Sequence, residues 1–176
     1  SRAQEILYGG AAGSGKSYMM RVLAIVLCME IPNIKVFLFR RMYKELYINH
    51  VYSPDGFLQM LKPFMDQGDV VFNKSDGVLN FTFNGAQIYL CHAQHENDIQ
   101  GYLGAEIHCL LIDEATQFTE KMIRFIRTRV RLGGLEVPER WKKLLPKIIY
   151  GTNPGGISHS YFKRGFVSHG EGHVYK

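Results

Sequence analysis

Cysteine is scarce: Cys28, Cys91 and Cys109 are odd in number, far apart and set in apolar runs. A disulfide framework is thereby excluded, and buried free thiols in a reducing compartment are expected. Long apolar runs are lacking as well. The longest, Val22 to Met29, covers eight residues, where a membrane-spanning helix needs about 20. With no signal-peptide pattern at the start, the chain reads as soluble, unsecreted and without a membrane partner. Internal repeats, low-complexity tracts and linkers are missing too, which excludes a solenoid and favours one domain.

What is present is ordinary globular composition: 176 residues, 46% hydrophobic and 21% charged, enough to bury about 70% of the unfolded surface around one core. Twenty-one basic residues against 16 acidic ones give a net charge of +5, unevenly spread. From Lys121 to Lys147, nine basic side chains face two acidic ones, Glu136 and Glu139. That segment is a candidate polyanion-facing surface, the alternative being a solvated basic face.

Glu5 to Tyr8 is a short apolar run entering a glycine cluster, and Ser17 to Glu30 then runs without Gly or Pro until Ile31-Pro32-Asn33. The pattern predicts strand, loop, helix. Lys35 to Phe39 predicts a buried strand and completes a βαβ unit. Met42 to His50 is a helical candidate, as is the periodic run Phe57 to Met65. Val78 to Phe83 and Ala86 to Cys91 flank Asn84-Gly85, predicting a β-hairpin with a type I′ turn at a sheet edge. Ile107 to Ile112 predicts a buried strand, Glu120 to Val130 a helix, Lys147 to Tyr150 a strand and Ser158 onward a closing helix. The fold class expected is α/β, a mainly parallel central sheet with an antiparallel edge hairpin.

Gly10-Ala11-Ala12-Gly13-Ser14-Gly15-Lys16-Ser17 matches the P-loop pattern G-x-x-x-x-G-K-[ST] between a strand and a helix. Glycines let backbone N–H groups curl around phosphates, and the helix N-terminus adds partial positive charge. Lys16 would reach the β/γ-phosphates and the Ser17 hydroxyl would hold Mg²⁺. The apolar strand Ile107 to Ile112 delivers Asp113 and Glu114 at its C-terminal tip, the edge where open α/β sheets bind ligands. Asp113 is placed for the Mg²⁺ shell and Glu114 to polarise an attacking water. Thr152 and Asn153 end the next strand and should emerge at the same edge.

A cation on the developing γ-phosphate charge is an expected part of such a site. Arg40, Arg41, Arg124, Arg127, Arg129 and Arg131 are all candidates for an arginine finger or for DNA contacts, with Arg124, Arg127 and Arg131 at helical spacing. Cys91, His92 and His95 lack a fourth ligand and read as strand-end residues rather than a metal site.

Taken together, Tyr8 to Ser17, Phe39-Arg40-Arg41, Gln100-Gly101, Ile112-Asp113-Glu114-Ala115-Thr116-Gln117-Phe118-Thr119 and Gly151-Thr152-Asn153-Pro154-Gly155-Gly156, with His159 and Lys163, resemble the ATPase domain of a tailed-bacteriophage terminase large subunit. The resemblance implies a three-layer P-loop NTPase of the ASCE, recombinase-like kind. It further implies nucleotide contacts from Gly10 through Ser17 to Tyr18, with ATP and Mg²⁺ as cofactors, Glu114 and Lys16 as catalytic groups, and Thr152 and Asn153 as a coupling motif. The implied function is ATP hydrolysis driving double-stranded DNA into a procapsid, with a homo-oligomeric ring on the portal protein and a small terminase subunit as partners, in the host cytoplasm during assembly. On this reading residues 1–176 are the ATPase domain, and the RNase H-like nuclease domain of the family lies outside the chain. Two positions depart from the pattern: Ala12 stands where many relatives carry arginine, and Gln100 where some do. A helicase or recombinase-like ATPase, or a nucleotide-binding module inactive in isolation, are the alternatives.

Overall fold

Alternating apolar strands and glycine breaks build an eight-stranded sheet in the computed structural model, which describes residues 4–10, 15–168 and 173–175. The strands are β1 (Gln4–Gly9), β2 (Lys35–Arg40), β3 (Val70–Asn73), β4 (Val78–Phe81), β5 (Gln87–His92), β6 (Cys109–Ile112), β7 (Lys147–Thr152) and β8 (His173–Tyr175). Their order is β3-β4-β5-β2-β6-β7-β1-β8. From β5 to β8 every pairing is parallel, and β3, β4 and β5 pair antiparallel.

Helix α1 (Lys16–Glu30) follows β1 and covers one face. It starts after Gly15, held at φ 77°, and stops where the Ile31 N–H bonds back to Leu27 and Pro32 cannot extend it. Helix α2 (Tyr43–Leu46) runs into a π-helical turn, Tyr47–Val51, and α3 (Phe57–Met60) and α4 (Lys62–Asp66) complete that layer. The opposite face carries α5 (Glu120–Arg127), capped by the Thr119 hydroxyl accepting from the Met122 N–H, and α6 (His159–Phe162). In β2, Val36 and Leu38 pack on the α1 side while Phe37 and Phe39 pack on the α5 side. All four are buried, which is why a central parallel strand reads as an unbroken apolar run.

Several boundaries differ from the sequence expectation. The hairpin loop is no type I′ turn: Gly85 has φ 77°, but Asn84 does not share the positive φ that such a turn requires. Instead the Phe81 N–H bonds to Ala86, and the Asn84 side chain donates to the Cys28 carbonyl at 2.8 Å, tying the loop to the end of α1. The antiparallel strands lie at the edge of the sheet as expected, with one unexpected strand, β3, paired outside the hairpin. Helix α5 ends at Arg127 because the chain then turns back, Val130 bridging Ile107. No helix among the described residues is long and apolar enough to cross a membrane.

Candidate nucleotide site

Parallel strands bring their C-terminal ends to one edge, and there β1, β7 and β6 stand side by side, Gly9 opposite Thr152 and Tyr150 opposite Ile112. Each strand delivers its polar cargo at that edge. After β1, Gly10 enters the loop at φ 155°, Ala11, Ala12, Gly13 and Ser14 lie outside the described residues, and Gly15 opens α1. Lys16 is buried and its Nζ donates to the Gly10 carbonyl at 3.1 Å. Tyr18 is exposed on α1, with the Arg21 guanidinium 5.9 Å from its ring centroid.

Ser17 Oγ donates to Asp113 Oδ2 at 2.9 Å, so the first turn of α1 and the tip of β6 meet across β7. Asp113 is 1% exposed. Oδ2 also accepts from Arg40 Nη1 at 3.1 Å and His50 Nε2 at 2.7 Å, and Oδ1 accepts from the Glu114 N–H at 3.1 Å. Burial would raise this carboxyl, but the His50 hydrogen bond, the Arg40 charge and the Ser17 hydroxyl outweigh it and hold it at about 2. His50 itself is pulled below the ordinary histidine range by burial, against the attraction of Asp113. Gly151 makes this convergence possible: a Cβ there would stand 2.9 Å from Met20 Cε and 3.4 Å from Asp113 Oδ1.

Glu114 sits in the left-handed region at φ 51°, which turns its side chain away from that of Asp113. Its Oε1 accepts from Asn153 Nδ2 at 2.8 Å. Asn153 Oδ1 is buried with no hydrogen-bond partner among the described residues. Beside it opens a mostly apolar cavity of about 440 Å³ whose lining includes Gly10, Thr152, Asn153 and Phe162.

The structure sorts the arginines. Arg40 and Arg41 close β2 at this edge, Arg41 donating to the carbonyls of Gln94 and Gln117. Arg124 pairs with Glu120 at 2.6 Å, and Arg127 pairs with Glu5 near the start of β1. Arg129 donates to the Leu103 carbonyl at 2.7 Å. The backbones of Arg129 and Arg131 bracket Ile107 at the entry to β6, so Arg127, Arg129 and Arg131 gather at the opposite end of the sheet. Sequence reasoning singles out neither His50 nor Arg21. For Arg21 a signal exists, a cation on the stripe Met20, Ala24, Leu27, Cys28 that faces the core; nothing local marks His50.

Residues 7–131 match the family profile described as terminase large subunit, T4likevirus-type, N-terminal. Among curated proteins none matches the sequence. Solved structures with the same fold include the large terminase of a thermophilic bacteriophage in complex with ADP (TM-score 0.69, 18% identity, 98% of this chain and 39% of that one). The same protein in complex with ATP-γ-S gives TM-score 0.66 at 16% identity, covering 98% of this chain and 38% of that one. The large terminase of bacteriophage HK97 gives TM-score 0.65 at 15% identity, with 99% and 36% covered. The chain therefore spans well under half the length of these relatives.

Proposed function

The chain belongs to the terminase large subunit family, and from that premise we propose that it carries the site at which Mg²⁺-dependent ATP hydrolysis drives double-stranded viral DNA into a procapsid. The observation that carries the reading is the pair of carboxylates at the β6 tip with separate partners, Asp113 on the Ser17 hydroxyl at 2.9 Å and Glu114 on the Asn153 amide at 2.8 Å. One acid is anchored for the metal and nucleotide, the other is aimed elsewhere.

The donor set fits magnesium: a hydroxyl and a carboxylate are both hard oxygen ligands, and the carboxylate, held at about 2, is ionised at any working pH. Ser17 and Asp113 would hold the ion, which would supply positive charge to offset that of the phosphates when ATP is bound. Lys16, on the helix that the P-loop opens, binds the phosphates. Glu114 takes a proton from the attacking water, and Asn153 orients Glu114 for it. Thr152, buried at the end of β7 opposite Gly9, links the nucleotide edge to the strand and serves with Asn153 in coupling. A homo-oligomeric ring on the portal protein, the small terminase subunit and the host cytoplasm during assembly complete the proposal.

Glu114→Gln keeps the shape and removes the base. The expected outcome is unchanged affinity for a fluorescent ATP analogue with steady-state turnover reduced roughly 10²-fold or more. Undiminished turnover would take Glu114 out of the reaction.

A further inference from the structure

Two buried polar side chains stand behind Asp113, and the functional reading so far gives them no part. Arg21 lies on α1 one turn after Ser17, so both project from the same side of the helix that the P-loop opens. Its guanidinium is 2% exposed. Nε donates to the Asp55 carbonyl at 3.0 Å, Nη1 to the Asn49 carbonyl at 3.1 Å, and Nη2 pairs with Asp55 Oδ2 at 3.1 Å. Nη1 also stands 3.0 Å from His50 Nδ1.

A guanidinium carries donors only, so Nδ1 of His50 must be the acceptor. The ring proton is then on Nε2, the nitrogen 2.7 Å from Asp113 Oδ2. We propose that Arg21 and His50 form a relay that fixes the orientation of the Asp113 carboxylate for the metal-nucleotide complex, with His50 a positioning residue of the site. This rests on the nucleotide reading given above.

The physical case has three parts. Burying a guanidinium and an imidazole is costly, and an apolar pair of similar volume among Leu46, Val51 and Phe57 would be equal or better for stability alone. What the polar pair adds is direction. Second, His50 lies in the π-helical turn Tyr47–Val51, and such widened turns recur at functional sites. Here the turn places a fully buried imidazole against Asp113 while the preceding carbonyl, of Asn49, accepts from Arg21. Third, the carboxylate has a competitor. Arg40 already donates to Oδ2, and its Nε is buried without a hydrogen-bond partner among the described residues. Without His50, Arg40 has the capacity to draw both carboxylate oxygens into a bidentate pair and away from Ser17.

Partners that orient a metal ligand typically govern affinity or activity by about 10–100-fold. The test uses the whole chain with Mn²⁺ and ADP as probe, bound Mn²⁺ read by electron paramagnetic resonance. His50→Ala is expected to weaken Mn²⁺ binding in the ADP complex by about 10–100-fold and to lower kcat comparably, with KM for ATP at saturating metal little changed. His50→Gln returns an N–H donor to the position of Nε2 and is expected to restore most of both. Long-range ¹H–¹⁵N correlation spectra are expected to report His50 as the Nε2–H tautomer in the wild type and to lose that signature in Arg21→Met, an outcome that needs neither turnover nor a folded His50→Ala protein. Wild-type Mn²⁺ affinity in a folded His50→Ala chain, or an Nδ1–H tautomer, overturns the relay. A wild-type chain that binds Mn²⁺ and ADP and shows the relay but never turns over ATP overturns the hydrolysis reading alone; one that binds neither overturns both.

Discussion

Glu114 is held in a backbone conformation that costs a non-glycine residue on the order of 1–3 kcal/mol, and the hydrogen bond from Asn153 is the contact that gives its carboxylate one direction. Asn153→Ala removes that contact without touching the P-loop. Turnover is expected to fall roughly tenfold or more with nucleotide affinity unchanged, and single-turnover hydrolysis beside equilibrium binding measures both; full turnover would mean that Glu114 needs no holder. The buried thiols make a second prediction. Burial pushes Cys109 up from the ordinary value of 9.0 to about 12, against the pull of Lys147, and burial raises Cys28 and Cys91 too. Because these thiolates belong to the unfolded chain, the stability involved is complete below about pH 9 and is lost progressively as pH rises toward about 12. Thermal midpoints recorded across that range should fall steadily, while a thiol-specific reagent at pH 8 should react no faster than the chain unfolds. A pH-independent midpoint would contradict it.

At the scale of elements, the loop after β7 is locked to the turn after β6. Gly156 has φ 99°, and a Cβ there would stand 2.7 Å from the Thr116 carbonyl oxygen and Oγ1, while the Ser158 N–H bonds to the same carbonyl at 3.0 Å. Gly156→Ala therefore forces the Asn153 loop away from Glu114. A loss of about 2 kcal/mol is expected from backbone strain and clash together, a fall of about 4–8 °C in Tm for a chain of this size, with turnover falling too. Gly155→Ala is the control: at φ 87° it is strained but meets nothing within 4 Å, so its smaller loss should leave turnover nearer the wild type. Equal effects would show that the packing on Thr116 does not matter.

The same scale explains which elements are legible in the sequence. β1, β2, β6 and β7 are short apolar runs broken by glycine or charge, the pattern of parallel strands covered on both faces. Strand β3 escapes such a reading because its burial alternates, Val70 and Phe72 inward and Val71 and Asn73 outward, while the outward Val71 is as apolar as its neighbours and hides the alternation in the sequence. The widened turn at Tyr47–Val51 looks like plain helix in sequence, since what shapes it, the Asn49 carbonyl accepting from Arg21, joins residues 28 apart in the chain. Lys16, Ser17, Asp113 and Glu114 are readable because motif and strand end coincide. His50 is not, because its position against Asp113 exists only after β6 and the turn have packed together.

For the whole molecule, much of the basic segment is paired with carboxylates. Lys121 pairs with Glu96, Arg124 with Glu120, Arg127 with Glu5, Arg140 with Glu30 and Lys142 with Glu139. Arg131 and Lys143 pair with no carboxylate among the described residues, and these are the cations we expect to meet DNA phosphates. Arg131→Gln and Lys143→Gln should each reduce the slope of log affinity against log salt for duplex DNA by about 0.9, whereas Arg127→Gln should chiefly lower Tm by breaking the tie to Glu5. Unchanged slopes would place the DNA face elsewhere. That the P-loop edge hydrolyses ATP is tested most directly by steady-state phosphate release with Mg-ATP, measured at several protein concentrations for the wild-type chain and for Lys16→Ala. Turnover that climbs with concentration and vanishes in Lys16→Ala is the predicted result; turnover that survives Lys16→Ala undiminished would contradict it.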